Sequence, residues 1–476
     1  MTSHDQMASI TEAPDARVPA RLGGTLRTVF AGSLARIVGI PVTAFLGLLN
    51  TGLVIAHTGS VLYGTVSTIA TLGTLLPFAD LGIGAGVTTA VAIGSTDAKH
   101  QETVTATIRT AFLSLCAVTT AGLILSWSAA LLGWWDLILS RSFSEEERVV
   151  ISIALSLFFI CLPFGLGSRI LTGFGKNHIA VLLNLSGTAF TLLFTWALVA
   201  LDAAPISYAI SGFFGTLCCN AVVAIVAIRF LKLSNYRPWR RRASGAAQRF
   251  RNLRLLSGSG WMFIVMIGLP IGLETGRVVL SHTSTADGLS RFALSAQLYA
   301  LAWSVVTTAG GALWTVFAKQ RKEAAENLRL WKQMVGVFGG LGLIGGVVLI
   351  TLGPWLGEII SGGRLEIEPA QIALFAALLI VQCVHLPAGV LLTVPSELRW
   401  QAACVFVMAT VSVAISVTFA PAYGGVAVTA GAVIGILLAQ IVPDLVMVRR
   451  FLEARTDAMA SRRRTTYVSF GEGEPK

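Results

Sequence analysis

The chain has 476 residues, of which 54% are apolar and 12% charged, and its mean hydropathy is +0.75. A soluble protein carries about 25% charged residues, so this composition excludes an ordinary soluble domain. Apolar stretches long enough to cross a bilayer recur along the whole sequence, and the short alternating segments of a membrane β-barrel are missing from it. The sequence therefore predicts an all-α, polytopic membrane protein.

Twelve spanning helices are expected, six in each half of the chain, and their number and arrangement predict two six-helix lobes. Their approximate bounds in chain order are 28–56, 62–94, 107–133, 149–170, 178–201, 205–230, 255–282, 288–318, 331–356, 369–394, 400–420 and 424–448.

Five regions follow from these spans. Residues 1–27 are predicted to be a disordered cytoplasmic tail, 28–230 the N-lobe, 231–254 a basic cytoplasmic linker, 255–448 the C-lobe, and 449–476 a basic cytoplasmic tail. The linker suits either a segment lying on anionic inner-leaflet lipid or a solvated loop.

Basic residues set the orientation of the chain. With both termini in the cytoplasm, the outer loops hold only four of the 35 Lys and Arg residues, namely Arg141, Arg148, Arg291 and Arg364. That asymmetry is the positive-inside pattern. The formal net charge of +11 is thus a topology signal, and no nucleic-acid partner is expected.

Formal charges inside apolar spans indicate functional positions, because each costs about 2.5–3.5 kcal/mol at mid-bilayer on insertion scales. Glu274 and Arg277 lie three residues apart and share a helix face. Two interpretations remain open for them, a structural ion pair or the lining of a central water-filled cavity. Arg36 occupies a comparable place in the first half of the chain.

The two arginines predict a cationic substrate-binding cavity. Arginine stays charged in a low dielectric and forms paired hydrogen bonds with phosphate, so Arg36 and Arg277 would favour a phosphate or pyrophosphate headgroup. Pro41 and Pro270 lie near these arginines in matching spans. Each removes a helix hydrogen bond, which would make either a hinge for alternating access or a static kink.

Carboxylates and amides complete the candidate site. Asp80 and Glu274 are the candidate coupling carboxylates; Asp80 could instead cap a backbone break among nearby glycines. Asp444 lies close to the cytoplasmic end of the last span, and we expect it to be interfacial. His385 is as compatible with helix packing as with a cavity. The polar residues that could line the cavity are Asn50, Asn184, Asn220, Gln297, Gln382 and His385.

The sequence carries no enzyme signature. The largest outer loops, near 134–148 and 357–368, are too short to hold a catalytic domain. A phosphate-binding glycine loop with a lysine is also missing, so no ATP motor, metal or other cofactor is expected. Transport driven by an H⁺ or Na⁺ gradient, or by the membrane potential, fits better.

The stretch HTGSVLYGTVSTIATLGTLLPFADLGIGAGVTTAVA (57–92) resembles polysaccharide-export flippases of the Wzx type. These belong to the multidrug/oligosaccharidyl-lipid/polysaccharide (MOP) superfamily. The resemblance is carried by Leu62, Tyr63 and Gly64 and by an aspartate-leucine-glycine motif at Asp80. It implies two six-helix lobes that rock between inward- and outward-open states, and a monomer. It also implies an undecaprenyl-pyrophosphate-linked oligosaccharide as cargo, and a bacterial cytoplasmic membrane with glycan polymerase or export proteins as partners.

Other branches remain as alternatives. Arg36 in SLARIVGIP (33–41) matches an arginine of the peptidoglycan-precursor flippases, but their following arginine-aspartate pair falls here on Val42 and Thr43. Their two additional C-terminal spans are also missing, so a lipid II flippase is a minor alternative. A cation-coupled multidrug antiporter is the second interpretation, and a membrane-embedded enzyme of glycan assembly is the third.

Overall fold

The computed structural model describes residues 22–73, 83–94, 101–233, 259–319, 324–392 and 395–454. Within these ranges all regular structure is helical, and eleven helices are long and apolar enough to cross a membrane. The prediction of an all-α, polytopic membrane protein is confirmed.

The N-lobe consists of the described helices of the first half. They are α1 (Leu22–Leu72), α2 (Ile83–Gly94), α3 (Gln101–Leu131), α4 (Trp134–Ile138), α5 (Glu145–Gly173), α6 (Asn177–Asn184), α7 (Ser186–Ala200) and α8 (Ile210–Leu233), with a 3₁₀ turn at Pro205–Ala209.

The C-lobe consists of the described helices of the second half. They are α9 (Ser259–Glu274), α10 (Gly276–Thr283), α11 (Ala286–Lys319), α12 (Ala324–Ser361), α13 (Pro369–Leu391), α14 (Pro395–Tyr423) and α15 (Gly425–Ile436). A π-turn at Leu437–Ile441 leads into a last helix, 442–454, here called α16.

The first two predicted spans are joined more tightly than expected. Instead of a loop between 56 and 62, α1 continues through a kink at Gly59, whose φ is +73°. That left-handed backbone conformation is one that glycine adopts without steric cost, so the first two predicted spans meet at a single kinked residue. The second span continues to Leu72 and resumes at Ile83; the middle of it lies outside the described residues.

Two other predicted spans are each divided into two helices. The fifth is interrupted at Leu185 and the seventh at Thr275, and both residues keep right-handed helical dihedral angles. The interruption therefore affects the hydrogen-bond pattern while the chain continues across the membrane. Neither interruption lies at a proline, because Pro41 lies within α1 and Pro270 lies within α9.

Buried side chains show how the lobes meet. One hydrophobic cluster contains residues of both lobes, with Val54 and Ile55 of α1 beside Leu289 and Phe292 of α11. Two further clusters are each confined to one lobe, one near Leu231 at the end of α8 and one near Leu452 in α16. In the predicted topology the α1 and α11 residues of the shared cluster lie toward the outer side, and among the described residues each lobe also has a separate cluster toward the inner side.

Candidate functional site

A polar cavity of about 490 Å³ lies in the N-lobe and reaches α11 of the C-lobe. The lining positions follow helical spacing: 47, 50, 51 and 54 on α1, then 184, 187, 188 and 191 on α6 and α7. Residues spaced in this way share one helix face. The polar lining comprises Asn50, Thr51, Tyr63, Ser67, Asn184, Thr188, Thr191, Tyr208, Ser211, Thr216, Asn220 and Gln297.

Amides and hydroxyls line much of this N-lobe cavity. The Asn50 Oδ1 atom accepts a hydrogen bond of 2.6 Å from the Thr195 hydroxyl, and within the described ranges the N–H groups of the same amide have no partner and can bind a ligand. Thr191 instead donates to the Gly187 carbonyl of its own helix, at 3.1 Å. Among the described lining residues none is formally charged. Such a surface combines donors and acceptors, as sugar hydroxyls require.

Arg277 lies at the contact between the lobes. Its side chain is buried, with 8% of the residue exposed. Its guanidinium donates to Ser67 of α1, at 2.9 Å to the hydroxyl and 3.3 Å to the carbonyl. Ser67 itself lines the N-lobe cavity. Arg277 therefore connects α10 of one lobe to α1 of the other at the edge of that cavity.

The structure separates Glu274 from Arg277. No ion pair joins them among the described residues, and Glu274 lines a different cavity, in the C-lobe. In this conformation the two side chains therefore form no internal salt bridge, and they do not line the same described cavity. The physical reason is that Ser67 supplies the guanidinium with acceptors from another helix, which sequence spacing within one helix does not reveal.

The C-lobe cavity measures about 500 Å³ and is mainly apolar. Its titratable lining consists of Glu274 on α9, His385 on α13, Cys404 on α14 and Asp444 on α16. His385 Nδ1 lies 2.8 Å from Asp444 Oδ2. Asp444 is only 6% exposed, so the expectation that it is interfacial is wrong: it turns into the cavity and is paired there.

Polar atoms without partners also line the C-lobe cavity. Gln440 Nε2 and Trp400 Nε1 are buried and have no hydrogen-bond acceptor in the described part of the chain. Gln382 differs, because its amide oxygen accepts a hydrogen bond from the Tyr299 hydroxyl. Gln440 lies in the π-turn, an irregularity that frequently marks functional sites.

A third concave surface, of about 380 Å³, is an apolar groove between the lobes. Its N-lobe wall is Pro41, Ala44 and Leu48 of α1. Its C-lobe walls are Leu298, Leu301, Ala302, Val305 and Val306 of α11, Leu341, Ile344, Gly345, Val348, Leu349, Gly353 and Leu356 of α12, and Leu379 of α13. The two prolines therefore lie in different places, since Pro270 lines the C-lobe cavity.

The outer ends of the lobes are joined by hydrogen bonds that we call the outer latch. Arg364 donates to the carbonyl groups of Ile55, at 3.2 Å, and Ala56, at 2.6 Å. His282 Nε2 lies 2.8 Å from the carbonyl oxygen of Leu137.

The third contact of the outer latch joins Gly64 and Ser290. The backbone N–H of Gly64 donates to the Ser290 hydroxyl at 2.8 Å. A Cβ atom at position 64 would lie 2.7 Å from the Ser290 nitrogen, so only glycine permits this approach. With Arg277, these bonds hold the lobes together in the outer half of the molecule.

The remaining predicted site residues can be placed only in part. Arg36 lies in the described backbone of α1, but its side chain is outside the described residues, as is all of Asp80. Asn50, Asn184, Asn220 and Gln297 lie together in the N-lobe cavity, while Gln382 and His385 belong to the C-lobe cavity. Sequence reasoning missed Ser67 and the threonines, although their spacing with the asparagines was a usable signal.

Comparisons with known proteins agree with this architecture. No protein-family model and no curated protein matches the sequence. The fold is similar to that of a multidrug resistance MATE family transporter of the MOP superfamily in an inward-facing conformation, with 14% identity and a TM-score of 0.69, over 89% of this chain and 99% of that one. It is also similar to the lipid II flippase MurJ in an inward closed conformation, with 14% identity and a TM-score of 0.63, over 93% of this chain and 94% of that one. The chain thus has the fold of MOP-superfamily transporters and flippases.

Proposed function

We propose that the protein is a flippase that moves a lipid-linked oligosaccharide, of the undecaprenyl-pyrophosphate type, from the inner to the outer leaflet for cell-surface polysaccharide assembly. The observation that carries this proposal is the division of α1 into two faces between residues 41 and 54. One face, with Asn50 and Thr51, lines the polar N-lobe cavity, and the other, with Pro41, Ala44 and Leu48, lines the apolar groove.

An amphiphile matches this arrangement. Its hydroxyl-rich headgroup would bind the amides and threonines of the N-lobe cavity, while its hydrocarbon chain would stay in the groove beside the lipid. Residues Gln297 and Leu298 of α11 continue the division, since the first lines the polar cavity and the second the groove. A small water-soluble cargo would have no use for the apolar surface.

The two arginines expected to bind the headgroup, Arg36 and Arg277, have different roles in this proposal. Arg36 stands eleven residues before Gly47 on α1, about 16 Å closer to the predicted cytoplasmic side at 1.5 Å per residue. We assign it to the pyrophosphate, near the depth of the inner-leaflet headgroups. In this conformation Arg277 is held by Ser67, and it would reach the cargo only when the lobes move.

The proposal is tested in proteoliposomes that contain the full chain and a lipid-linked oligosaccharide. Its sidedness is followed with a membrane-impermeant enzyme that removes the exposed sugar. Ala44→Phe would fill the groove, and Asn184→Ala with Asn220→Ala would remove cavity donors. We expect each change to slow translocation by about tenfold or more, the effect of losing about 1.4 kcal/mol of favourable contact.

A matched control separates groove filling from general damage. Ala197→Phe introduces the same ring at an exposed position of α7 outside the groove and should leave translocation unchanged. Equal rates for the lipid-linked and the free oligosaccharide would contradict the assigned cargo. So would normal export of surface polysaccharide by cells that carry Arg36→Ala or Arg277→Ala.

The C-lobe cavity favours a second candidate function. Glu274 and Asp444 lie there with Trp303 and Trp400, and carboxylates with aromatic rings are the surroundings that organic cations prefer. A cation-coupled multidrug antiporter would use this cavity for its substrate. It would raise resistance to lipophilic cations, and its loss would leave the cell envelope unaltered.

The setting of the proposed function is a bacterial cytoplasmic membrane, crossed many times by a monomer. Glycan polymerase or export proteins would receive its product. No resident cofactor is needed, because the energy would come from an H⁺ or Na⁺ gradient or from the membrane potential.

A further inference from the structure

We propose that His385 and Asp444 form a proton-binding site in the C-lobe cavity and that the proton, in preference to a metal cation, is the coupling ion. This inference deepens the proposed function by naming its driving ion, and it rests on that function only for the cargo that is moved.

The geometry leaves one ring nitrogen free to exchange a proton. His385 Nδ1 is 2.8 Å from Asp444 Oδ2, and it donates its N–H to the carboxylate. This bond joins α13 to α16 across the cavity. The other ring nitrogen, Nε2, has no hydrogen-bond partner among the described residues and is the atom that gains or loses the proton.

Gly389 keeps that nitrogen accessible. A Cβ atom at position 389 would lie 3.3 Å from His385 Nε2, so the missing side chain leaves open space beside the ring. Gln401 fixes the backbone there by donating to the Gly389 carbonyl at 3.1 Å. Both residues line the same cavity, through which water can reach Nε2.

Proton binding changes the charge of the pair by one unit. Without the proton on Nε2, the imidazole is neutral and the pair carries the single negative charge of Asp444. With it, the imidazolium and the carboxylate compensate each other. A net charge in apolar surroundings is costly, and the lining here is mainly apolar, so gain and loss of the proton favour different arrangements of the surrounding helices.

Few other titratable groups face the pair. Glu274 approaches from α9 and Cys404 from α14, while α11 contributes Trp303 and the π-turn contributes Gln440. Glu274 is therefore the only other carboxyl group among the described lining residues. The orphaned Nε2 of Gln440 and Nε1 of Trp400 are donors, and they suit the oxygen atoms of the waters that carry a proton to His385.

The same geometry argues against a metal cation. Sodium and other hard cations need several oxygen ligands, but here an N–H group occupies one oxygen atom of Asp444. Among the described residues no group of three or more His, Cys, Asp and Glu side chains is placed to hold a metal ion. Histidine with a carboxylate is instead a combination found in intramembrane proton relays.

The test measures proton binding without any cargo. Trp303 and Trp400 line the cavity, and a protonated imidazole quenches nearby tryptophan fluorescence. The purified full chain in nanodiscs is titrated from about pH 8 to about pH 5, the range in which histidine changes charge. We expect a fall in fluorescence that is lost in His385→Asn, whose amide still donates to Asp444 but cannot be protonated. The fall should also be lost in Trp303→Phe with Trp400→Phe.

Two controls decide the outcome. His178→Asn removes a histidine in the first turn of α6, outside the C-lobe cavity, and should leave the titration unchanged. Replacing K⁺ by Na⁺ at constant pH and ionic strength should give no response. A titration that persists in His385→Asn, a wild-type chain without titration, or a response to Na⁺ alone would each overturn the proposal. Because no glycan is present, any of these results leaves the flippase function open, and a failed flipping assay leaves the proton site open.

Discussion

Replacing Arg364 by alanine should open the outer side of the molecule. Arg364 comes from the loop after α12 and donates to Ile55 and Ala56 of α1, so its bonds exist only while the outer ends of the lobes are together. Any conformation open to the outside must break them. Arg364→Ala removes them in advance and so shifts the equilibrium toward outward-open states.

The size of the shift follows from the two bonds. A hydrogen bond made by a charged group contributes about 1.5–3 kcal/mol. Arg364 is exposed, and water competes for its N–H groups, so we take the lower limit for the two bonds together. About 1.4 kcal/mol corresponds to a tenfold change in an equilibrium constant. The outward-open population should therefore rise by about tenfold.

A native cysteine reports this population. Cys219 lines the N-lobe cavity and is buried while the outer ends are joined. A membrane-impermeant maleimide added from outside reaches it only through the open outer side, so its alkylation rate is proportional to the outward-open fraction. We expect about tenfold faster alkylation of Cys219 in Arg364→Ala, measured by mass spectrometry of the peptide.

Arg291 provides the matched control. It is another exposed arginine of the outer side, but its partner is Asp287 of the same helix, at 2.7 Å. Arg291→Ala should leave the alkylation rate unchanged. If Arg364→Ala also left it unchanged, the bonds to Ile55 and Ala56 would have no role in holding the lobes together, and the place of Arg364 in the outer latch would be refuted.

Two further predictions concern buried and exposed ion contacts. Ser67→Ala leaves the buried Arg277 guanidinium without its hydroxyl acceptor and should lower thermal stability by about 1–3 kcal/mol. Adding Arg277→Met should restore most of the loss, because the uncompensated charge disappears. A double variant less stable than Ser67→Ala would contradict this prediction. The hydrogen bond from Arg148 lowers the pKa of Asp136 below its usual value of 3.8. The pair therefore stabilises segment 134–148 at neutral pH, and this contribution is lost as the pH falls from 3.8 through the lowered pKa. Hydrogen exchange of residues 134–148, corrected for intrinsic rates, should accelerate in acid for the wild type and be fast at all pH values in Asp136→Asn. Equal protection of the two chains at neutral pH would count against a stabilising role of the pair.

Much of the fold follows from hydropathy and charge. The positions of the long helices depend on local composition, and the eleven candidate spans of the described residues fit the twelve predicted ones roughly. The single-residue kink at Gly59 was not predicted, because a glycine between two apolar spans is equally compatible with a short loop. Its φ of +73° is a property of the folded backbone.

The site was less predictable because it depends on which helices are neighbours. Helical spacing can relate positions such as 47, 50 and 54 within one helix. It cannot show that Arg277 meets Ser67, 210 positions earlier in the chain, or that His385 meets Asp444, 59 positions later. The position of Asp444 close to the cytoplasmic end of the last span predicts an interfacial side chain. Its burial instead depends on its contact with His385 of α13, which the sequence does not reveal.

The acceptors of Arg364 determine which substitutions the contact tolerates. Both are peptide carbonyls at the end of a helix just before Gly59, so the contact recognises the path of the main chain and is indifferent to which side chains stand at 55 and 56. Side-chain substitutions at those two positions would leave the contact with Arg364 intact. A change at residue 59 that altered the path of the main chain would affect both acceptors without touching the arginine.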